Sequence, residues 1–410
     1  MRRVADDPGM HEVVQLWGGH LVIPCARCYR LETNRAAEET VKPVLIAEGK
    51  ERSDDPSVNK SRRAADIREA AMRRRTRAAL TLLALASIGL AALSNPAPAI
   101  PPVRQAETDF AAFRAVVGKL RAGSSYYPSM GSELRSRGYP TRDVFNWRTP
   151  LHLSAVSAMP DAVGRALLVS LLGVLCWATM TSVRQPFNVT WTTSSVMQVG
   201  VLVLLTTPSL VFLGEAWAGV LVGISLCAYA RRHIVLAVGL GLLALFIREL
   251  AAPYCVVCAM IAALKRRWWE LGAWVGGACA YAVYYGLHLT QVWAHRLPTD
   301  FSHSSTWLAF GGLPFLQATI HWSGWLFVLP IPFTALALVL VVAGVGSERA
   351  PIQLRASSAA YAVFFLIAGH AFNHYWGLMV GPTWALAYGY GVGTTVHAIR
   401  TAFGPPGSTD

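Results

Sequence analysis

Most of this chain after residue 79 consists of apolar runs without a single charged residue, and this feature limits what the chain can fold into. With 54% hydrophobic and 14% charged residues, it has too little polar surface to cover a soluble globule. The sequence therefore predicts an integral membrane protein. The clearest uncharged runs are Ala79–Ala92, Ala166–Trp177, Val196–Leu205, Ala216–Ala230 and Leu326–Ala343.

The spans are predicted to be helices. A helix of about 20 apolar residues crosses a hydrocarbon core of about 30 Å, and helices packed inside a bundle can be shorter. The other structure that spans a bilayer, a closed barrel, has strands in which polar and apolar residues alternate. We therefore predict an all-α polytopic bundle of about ten spans. They are placed at 79–99, 160–182, 194–212, 214–230, 233–247, 250–264, 270–290, 322–345, 357–371 and 378–396.

Basic residues in the short connections predict the orientation. Arg231–Arg232, Lys265–Arg267 and Arg349 fall at every second turn, and such residues mark the cytoplasmic side. Both termini are then cytoplasmic, as in a multi-pass protein of a bacterial plasma membrane. The non-cytoplasmic connections are 100–159, 213, 248–249, 291–321 and 372–377. The loop 100–159 is itself rich in arginine, but long loops follow the charge rule less strictly.

Three regions are expected along the chain. Residues 1–72 are rich in charged residues and are predicted to be a disordered cytoplasmic tail. Residues 73–400 form the membrane domain, and 401–410 a short cytoplasmic tail. The net charge of +13 indicates contact with anionic membrane lipids rather than with nucleic acid, because basic residues hold loops at the inner face.

No cofactor is predicted. The pair Cys25 and Cys28 has no second pair at a zinc-site spacing, and most other cysteines lie in predicted spans. The histidines of the C-terminal outer loops match no ligand spacing, so no metal ligands are assigned. A divalent metal is compatible with the chain but is not indicated by it.

The outer loop 100–159 contains a predicted amphipathic helix, Thr108–Arg121, on the membrane surface. Two acids, Glu107 and Asp109, lie at its start. An acid there can simply complement the helix dipole. The alternative is a general base at the boundary between water and lipid. The apolar positions that define the helix are Phe110, Phe113, Val116, Val117 and Leu120.

An order of short motifs surrounds this helix. Gly123–Pro128 reads Gly-Ser-Ser-Tyr-Tyr-Pro, and Phe145–Pro150 carries an aromatic residue, Arg148 and a proline. Gly214–Gly219 contains Glu215, and Phe246–Leu250 contains Arg248 and Glu249. Across about residues 79–290 this order resembles GT-C-type membrane glycosyltransferases, which use polyprenyl-phosphate sugars as donors. The resemblance implies a mannosyltransferase-like enzyme of the cell envelope, with its catalytic acid in the first outer loop.

The resemblance places that acid at Asp109 or, as the second choice, at Glu107. Sugar transfer from a lipid phosphate also needs positive charge on the leaving group, and Arg248 is the first candidate because a charge at membrane depth is costly unless it has a function. Alternatively, Arg248 only pairs with Glu249 or Glu215. Arg148 is the second candidate for contact with phosphate.

Further residues complete the predicted substrate site. Glu215 and Glu249 belong to it through the motifs that contain them. Tyr126 and Tyr127 either contact substrate or anchor the loop at the interface. The segment Asn373–Trp376, which includes His374, is predicted to close the donor pocket, because it falls on the same side as Asp109 and Arg248.

The predicted function is transfer of a hexose or pentose from a polyprenyl-phosphate carrier to a lipid, glycan or protein acceptor on the non-cytoplasmic face. Two other classes stay open. A transporter or lipid flippase would place ionisable residues along a path at mid-span. A non-catalytic membrane scaffold would leave the acid and the arginine far apart, with no common cavity.

Overall fold

The computed structural model describes residues 12–16, 19–23, 56–96, 104–183, 187–302 and 310–404. The chain forms two compact units, Met1–Ile67 and Arg68–Asp410. In the first unit, strands β1 (Glu12–Leu16) and β2 (Gly19–Ile23) pair antiparallel, with Glu12 opposite Ile23. The sequence did not lead us to expect these strands in a segment for which it predicted disorder. They coincide with its one apolar, valine-rich patch, which favours pairing.

All other described elements are helices. The α-helices are α1 (Pro56–Ser94), α2 (Arg104–Arg121), α3 (Tyr126–Ser136), α4 (Pro150–Ser157), α5 (Asp161–Ser182), α6 (Val189–Leu205), α7 (Gly214–Ala230), α8 (Ile234–Ile247), α9 (Ala252–Leu264), α10 (Trp268–Ala294), α11 (Gly312–His321), α12 (Phe333–Gly346), α13 (Ile352–Ile367) and α14 (Gly377–Phe403). Short 3₁₀ segments lie at Val144–Trp147, Pro208–Phe212, Glu249–Ala251, Gly324–Val328 and Ala371–Trp376. Each of the ten predicted spans overlaps one of these α-helices, which confirms their helical character.

Two helices in the described part of the chain are both long and apolar enough to cross a membrane, Glu69–Ser94 within α1 and Asp161–Ser182. Only 11% and 33% of their most apolar 18-residue stretches are buried inside the molecule, whereas the core helix of a globule is mostly buried. The remaining apolar helices of α6–α9, α12 and α13 are shorter. The count of about ten spans therefore stays a prediction.

Helix α7 is the centre of the bundle. Its residues from Gly214 to Tyr229 are all buried, and it packs against α5, α8 and α14. At Gly219 a Cβ atom would lie 2.7 Å from the carbonyl oxygens of Leu378 and Met379, so only glycine allows α7 and α14 to approach this closely. The first turn of α7, which carries Glu215, is therefore fixed in the middle of the molecule.

Helix α2 caps one end of this bundle. It is the predicted amphipathic helix, and it buries Phe113, Val116 and Val117 against α4 and the segment Pro208–Phe212. Ion pairs hold the cap at its edges: Lys119 Nζ lies 2.6 Å from Glu133 on α3, and Arg121 lies 2.7 Å from Asp161 at the start of α5. The cap therefore holds the side chain of Asp109 over the ends of the central helices.

Candidate functional site

A cavity of about 1130 Å³ opens beneath α2. One part of its wall is polar and the other is apolar. The polar residues of the lining are Asp109, Arg137, Tyr139, Asn146, Arg148, Arg248, Glu249, Asn373 and Tyr375. The apolar wall comes from one face each of α9 and α13 and includes Val256, Met260, Ala360, Val363 and Ile367. The cavity thus joins a charged end to an apolar groove.

Asp109 is partly buried near the polar end of the cavity. The hydroxyl of Tyr139 donates a hydrogen bond to Asp109 Oδ1. Burial raises the pKa of this carboxyl from its ordinary value near 3.8, while the hydrogen bond from Tyr139 and the charge of Arg148 oppose the rise. A carboxylate whose pKa is raised binds a proton more readily, which suits a general base.

Arg148 follows the 3₁₀ segment Val144–Trp147 and has a φ of +43°, a strained backbone conformation for any residue except glycine. The buried hydroxyl of Tyr126 holds this turn, because it donates to the carbonyl oxygens of Trp147 and Arg148 at 3.1 and 3.0 Å. The guanidinium lies over the ring of Phe113 and donates to the Tyr375 hydroxyl at 2.7 Å. The strained turn thus aims the Arg148 side chain into the cavity.

Arg248 lies in the break between helices α8 and α9 and is almost completely buried. Its Nε donates to Glu215 Oε1 at 2.9 Å, and another guanidinium nitrogen donates to Glu249. Arg148 approaches the same two carboxylates less closely, at 3.6 Å from Glu215 and 3.9 Å from Glu249. Two arginines and two glutamates therefore form one compact network at the polar end.

The sequence ranked Arg248 before Arg148 as the residue that contacts phosphate, and the geometry favours the reverse order. Arg248 is held by two close carboxylates, as the pairing alternative expects. Arg148 has looser contacts with both acids, and 18% of its side chain is exposed. Arg148 is therefore the cation that is more available to a ligand in the cavity.

The structure brings together only part of the predicted site. Asn373 lines the cavity, whereas the cavity lining does not include Tyr126, Tyr127 or His374. Tyr127 instead hydrogen-bonds to His288 at 3.2 Å, and the His374 ring stacks on Trp322 with centroids 5.3 Å apart. Glu107 lies in α2, but its side chain is outside the described residues.

Three features of the site were not found from the sequence. Tyr139 lies in the turn after α3, and no motif marked it as a partner of Asp109. Tyr375 belongs to the segment Asn373–Trp376 that was predicted to close the pocket, but its hydrogen bond with Arg148 was not predicted. His152 lines a small pocket beside Glu215 and Arg248, where burial lowers its pKa to about 4. It is therefore neutral near pH 7 and adds no charge to the network.

The apolar groove is the third feature. Val256 and Met260 on α9 and Val363 on α13 line it and are each more than half exposed, at 57%, 56% and 56%. The groove is therefore open at the side of the bundle, between α9 and α13, as well as connected to the polar end. An apolar chain could enter from the side while a charged group at its end reached the arginines.

Among the described residues, no group of three His, Cys, Asp or Glu side chains is arranged to hold a metal ion. Comparison of the chain with protein-family models, curated proteins and solved structures found no match. The chemistry of the cavity itself therefore carries any assignment. It offers a proton acceptor, two arginines that are paired with glutamates, and an apolar groove in one continuous space.

Proposed function

We propose that this protein is a polytopic membrane glycosyltransferase that moves a sugar from a polyprenyl-phosphate carrier to an acceptor hydroxyl. One observation carries the proposal: Asp109, Arg148 and Arg248 meet at the polar end of a cavity whose other end is an apolar groove open at the side. Polyprenyl-phosphate sugars combine the same two parts, an anionic head and a long apolar chain.

The volume of the cavity suits such a donor. Pockets for drug-sized ligands measure roughly 300–1,000 Å³, and this cavity is slightly larger, at about 1130 Å³. It can hold a sugar phosphate together with the first isoprene units, while the rest of the chain leaves through the side opening. Arg148 is the main contact for the phosphate, because its guanidinium can bind two phosphate oxygens at once.

In the proposed reaction, Asp109 takes the proton from the acceptor hydroxyl as that oxygen forms a bond to the anomeric carbon. The bond from the anomeric carbon to the phosphate oxygen breaks, and polyprenyl phosphate leaves with the electron pair. Arg148 and Arg248 stabilise the negative charge that develops on the leaving phosphate. Glu215 and Glu249 position both guanidiniums through the buried network.

The proposed topology agrees with this arrangement. Five segments that the charge pattern assigns to the non-cytoplasmic face meet at the cavity or its network: α2, the turn at Arg148, the start of α7, the connection 248–249 and the segment Ala371–Trp376. A transporter would carry ionisable residues along a path through the bundle. Here the cavity has its charged groups at one end.

The direct test is an assay of the purified protein with a panel of radiolabelled sugar donors in detergent or vesicles. We expect label transfer from one or more polyprenyl-phosphate sugars and none from nucleotide sugars, since the groove offers an apolar chain a binding surface that a nucleotide would not use. Transfer from a nucleotide sugar alone, or label moved across vesicles without a new glycosidic bond, would contradict the proposal.

The pH dependence of transfer tests the role of Asp109. The base must be ionised, so the rate should fall as the pH falls through its raised pKa. Tyr139→Phe removes a hydrogen bond that lowers this pKa, and the acid limb of the pH–rate profile should therefore move to higher pH. Tyr285→Phe, at a tyrosine outside the cavity lining, is the matched control and should leave the limb in place. An unchanged pH–rate profile in Tyr139→Phe would show that the ionisation of Asp109 does not control the rate of transfer.

The apolar groove provides a second test. Ala360 lines it on α13, and Ala360→Trp would fill part of the space for the isoprenoid chain. We expect the KM for a long-chain donor to rise by about tenfold or more, which corresponds to roughly 1.4 kcal/mol, while a short-chain analogue is affected much less. Val283→Trp, on the exposed face of α10, is the control. Equal effects of Ala360→Trp on both donors would argue against the groove as the chain site.

A further inference from the structure

A second groove of about 630 Å³ lies on another side of α2. Its wall is formed by α2, by the start of α5 and by the segment Pro208–Phe212. Apolar side chains, Phe110, Val211 and Phe212, line one part of it. The cavity that contains Asp109 does not include this groove, and nothing in the proposed donor site uses it.

The groove carries excess positive charge. Arg114 from α2 and Arg165 from α5 both line it, and no acid lies within 4 Å of either guanidinium in the described part of the chain. The one acid in the wall, Asp161, is already paired with Arg121 at 2.7 Å. Arg165 also belongs to α5, one of the two helices of membrane-spanning length, where an unpaired charge is costly unless it meets a partner.

The groove lies next to the proposed reaction site. Phe212 lines both the groove and the small pocket that contains Arg148, Glu215 and Arg248. Helix α2 presents Asp109 to the main cavity and Arg114, a little more than one turn later, to the groove. A molecule held in the groove would therefore lie on a different side of α2 from a donor in the main cavity.

We propose that this groove binds the phosphate-bearing headgroup of an anionic membrane lipid. Arg114 and Arg165 contact the phosphate, and the apolar wall contacts the adjoining part of the lipid. Resting on the proposed function, the lipid held there is the acceptor class, which presents a hydroxyl to Asp109.

The test measures lipid binding, which does not require transfer. The protein is placed in nanodiscs of phosphatidylcholine and titrated with fluorescent phosphatidylglycerol. Two arginine–phosphate contacts are removed in the double variant Arg114→Gln/Arg165→Gln, so its affinity should fall at least tenfold. Ser209→Glu, which adds a negative charge to the groove wall, should weaken binding in the same way. Arg142→Gln removes an exposed arginine outside the groove and should change nothing.

The competing outcomes are distinct. Equal affinity in wild type, the double variant and Ser209→Glu would overturn the groove proposal. Inorganic phosphate that displaces the lipid from wild type, but not from the double variant, would show that the arginines recognise the phosphate group alone. Lipid that stays bound to wild type in the presence of inorganic phosphate would show that the apolar wall contributes as well. Both results support the site. If the wild-type protein binds the lipid but transfers no sugar, and the double variant loses lipid binding, the groove proposal stands and the proposed function is wrong. If the double variant transfers sugar at the normal rate with an unchanged KM for the acceptor, the proposed function stands and the groove is not the acceptor site.

Discussion

Asp109→Asn should reduce sugar transfer by about 10²–10⁴-fold, the usual contribution of a general base. Asparagine has nearly the same shape as aspartate and can still accept the hydrogen bond from Tyr139, so the fold and the cavity should be preserved. It cannot take the proton from the acceptor. The effect should therefore appear in kcat, with little change in the KM for the donor. Steady-state kinetics with the donor identified in the panel measure both quantities.

The control for this substitution is Asp143→Asn, which removes a carboxylate from the same outer segment but away from the cavity lining. It should retain wild-type kinetics. Transfer at the full rate by Asp109→Asn would exclude Asp109 as the base. Glu107→Gln, compared beside it, would then show whether the neighbouring acid performs the role.

Arg248→Met should destabilise the folded protein by about 3–5 kcal/mol, because it leaves the buried carboxylate of Glu215 without its closest cation. Glu215 is 1% exposed and lies 2.9 Å from Arg248 Nε, so its negative charge would lose its main partner inside the protein. Arg148, at 3.6 Å from Glu215, compensates only in part. Unfolding by heat or denaturant in detergent measures the loss. Arg231→Met, at an exposed arginine after α7, is the matched control.

A double-mutant cycle separates the pair from the individual residues. If Arg248 and Glu215 stabilise each other, Glu215→Leu/Arg248→Met should lose less stability than the sum of the two single variants. Strict additivity would show that the two side chains are independent despite their contact. Activity reports on a separate role: a double variant that regains stability but not transfer would show that this pair also acts in the reaction, beyond stabilising the fold.

The helical framework was predictable because continuous apolar runs leave few alternatives to helices. The boundaries were less accurate where the chain breaks such a run. The span predicted at 322–345 begins as α12 only at Phe333, since Pro330 and Pro332 interrupt the helix, and Gly324–Val328 forms a separate 3₁₀ turn. Helices α3, α4 and α11 were missed because they are short and carry no long apolar run.

The site was predictable to the extent that charge placement predicts sidedness. The basic connections assigned Asp109, Arg148 and Arg248 to one face, and the structure places all three in one cavity. Sequence spacing contains no information on how far each arginine is buried, so it could not show that Arg148 is the more accessible of the two. The hydrogen bond between Tyr139 and Asp109 joins the turn after α3 to α2, and only tertiary packing brings these two segments together.

The opening between α9 and α13 determines which ligand concentration is relevant to this protein. Under the proposed function, a donor that enters through that opening comes from the plane of the bilayer, so the number of donor molecules per lipid governs occupancy. Adding neutral lipid at a constant amount of donor would then slow the reaction, even though the molarity in the tube is unchanged. Under the proposed function, the KM for the donor is accordingly best expressed as a mole fraction of the membrane lipid.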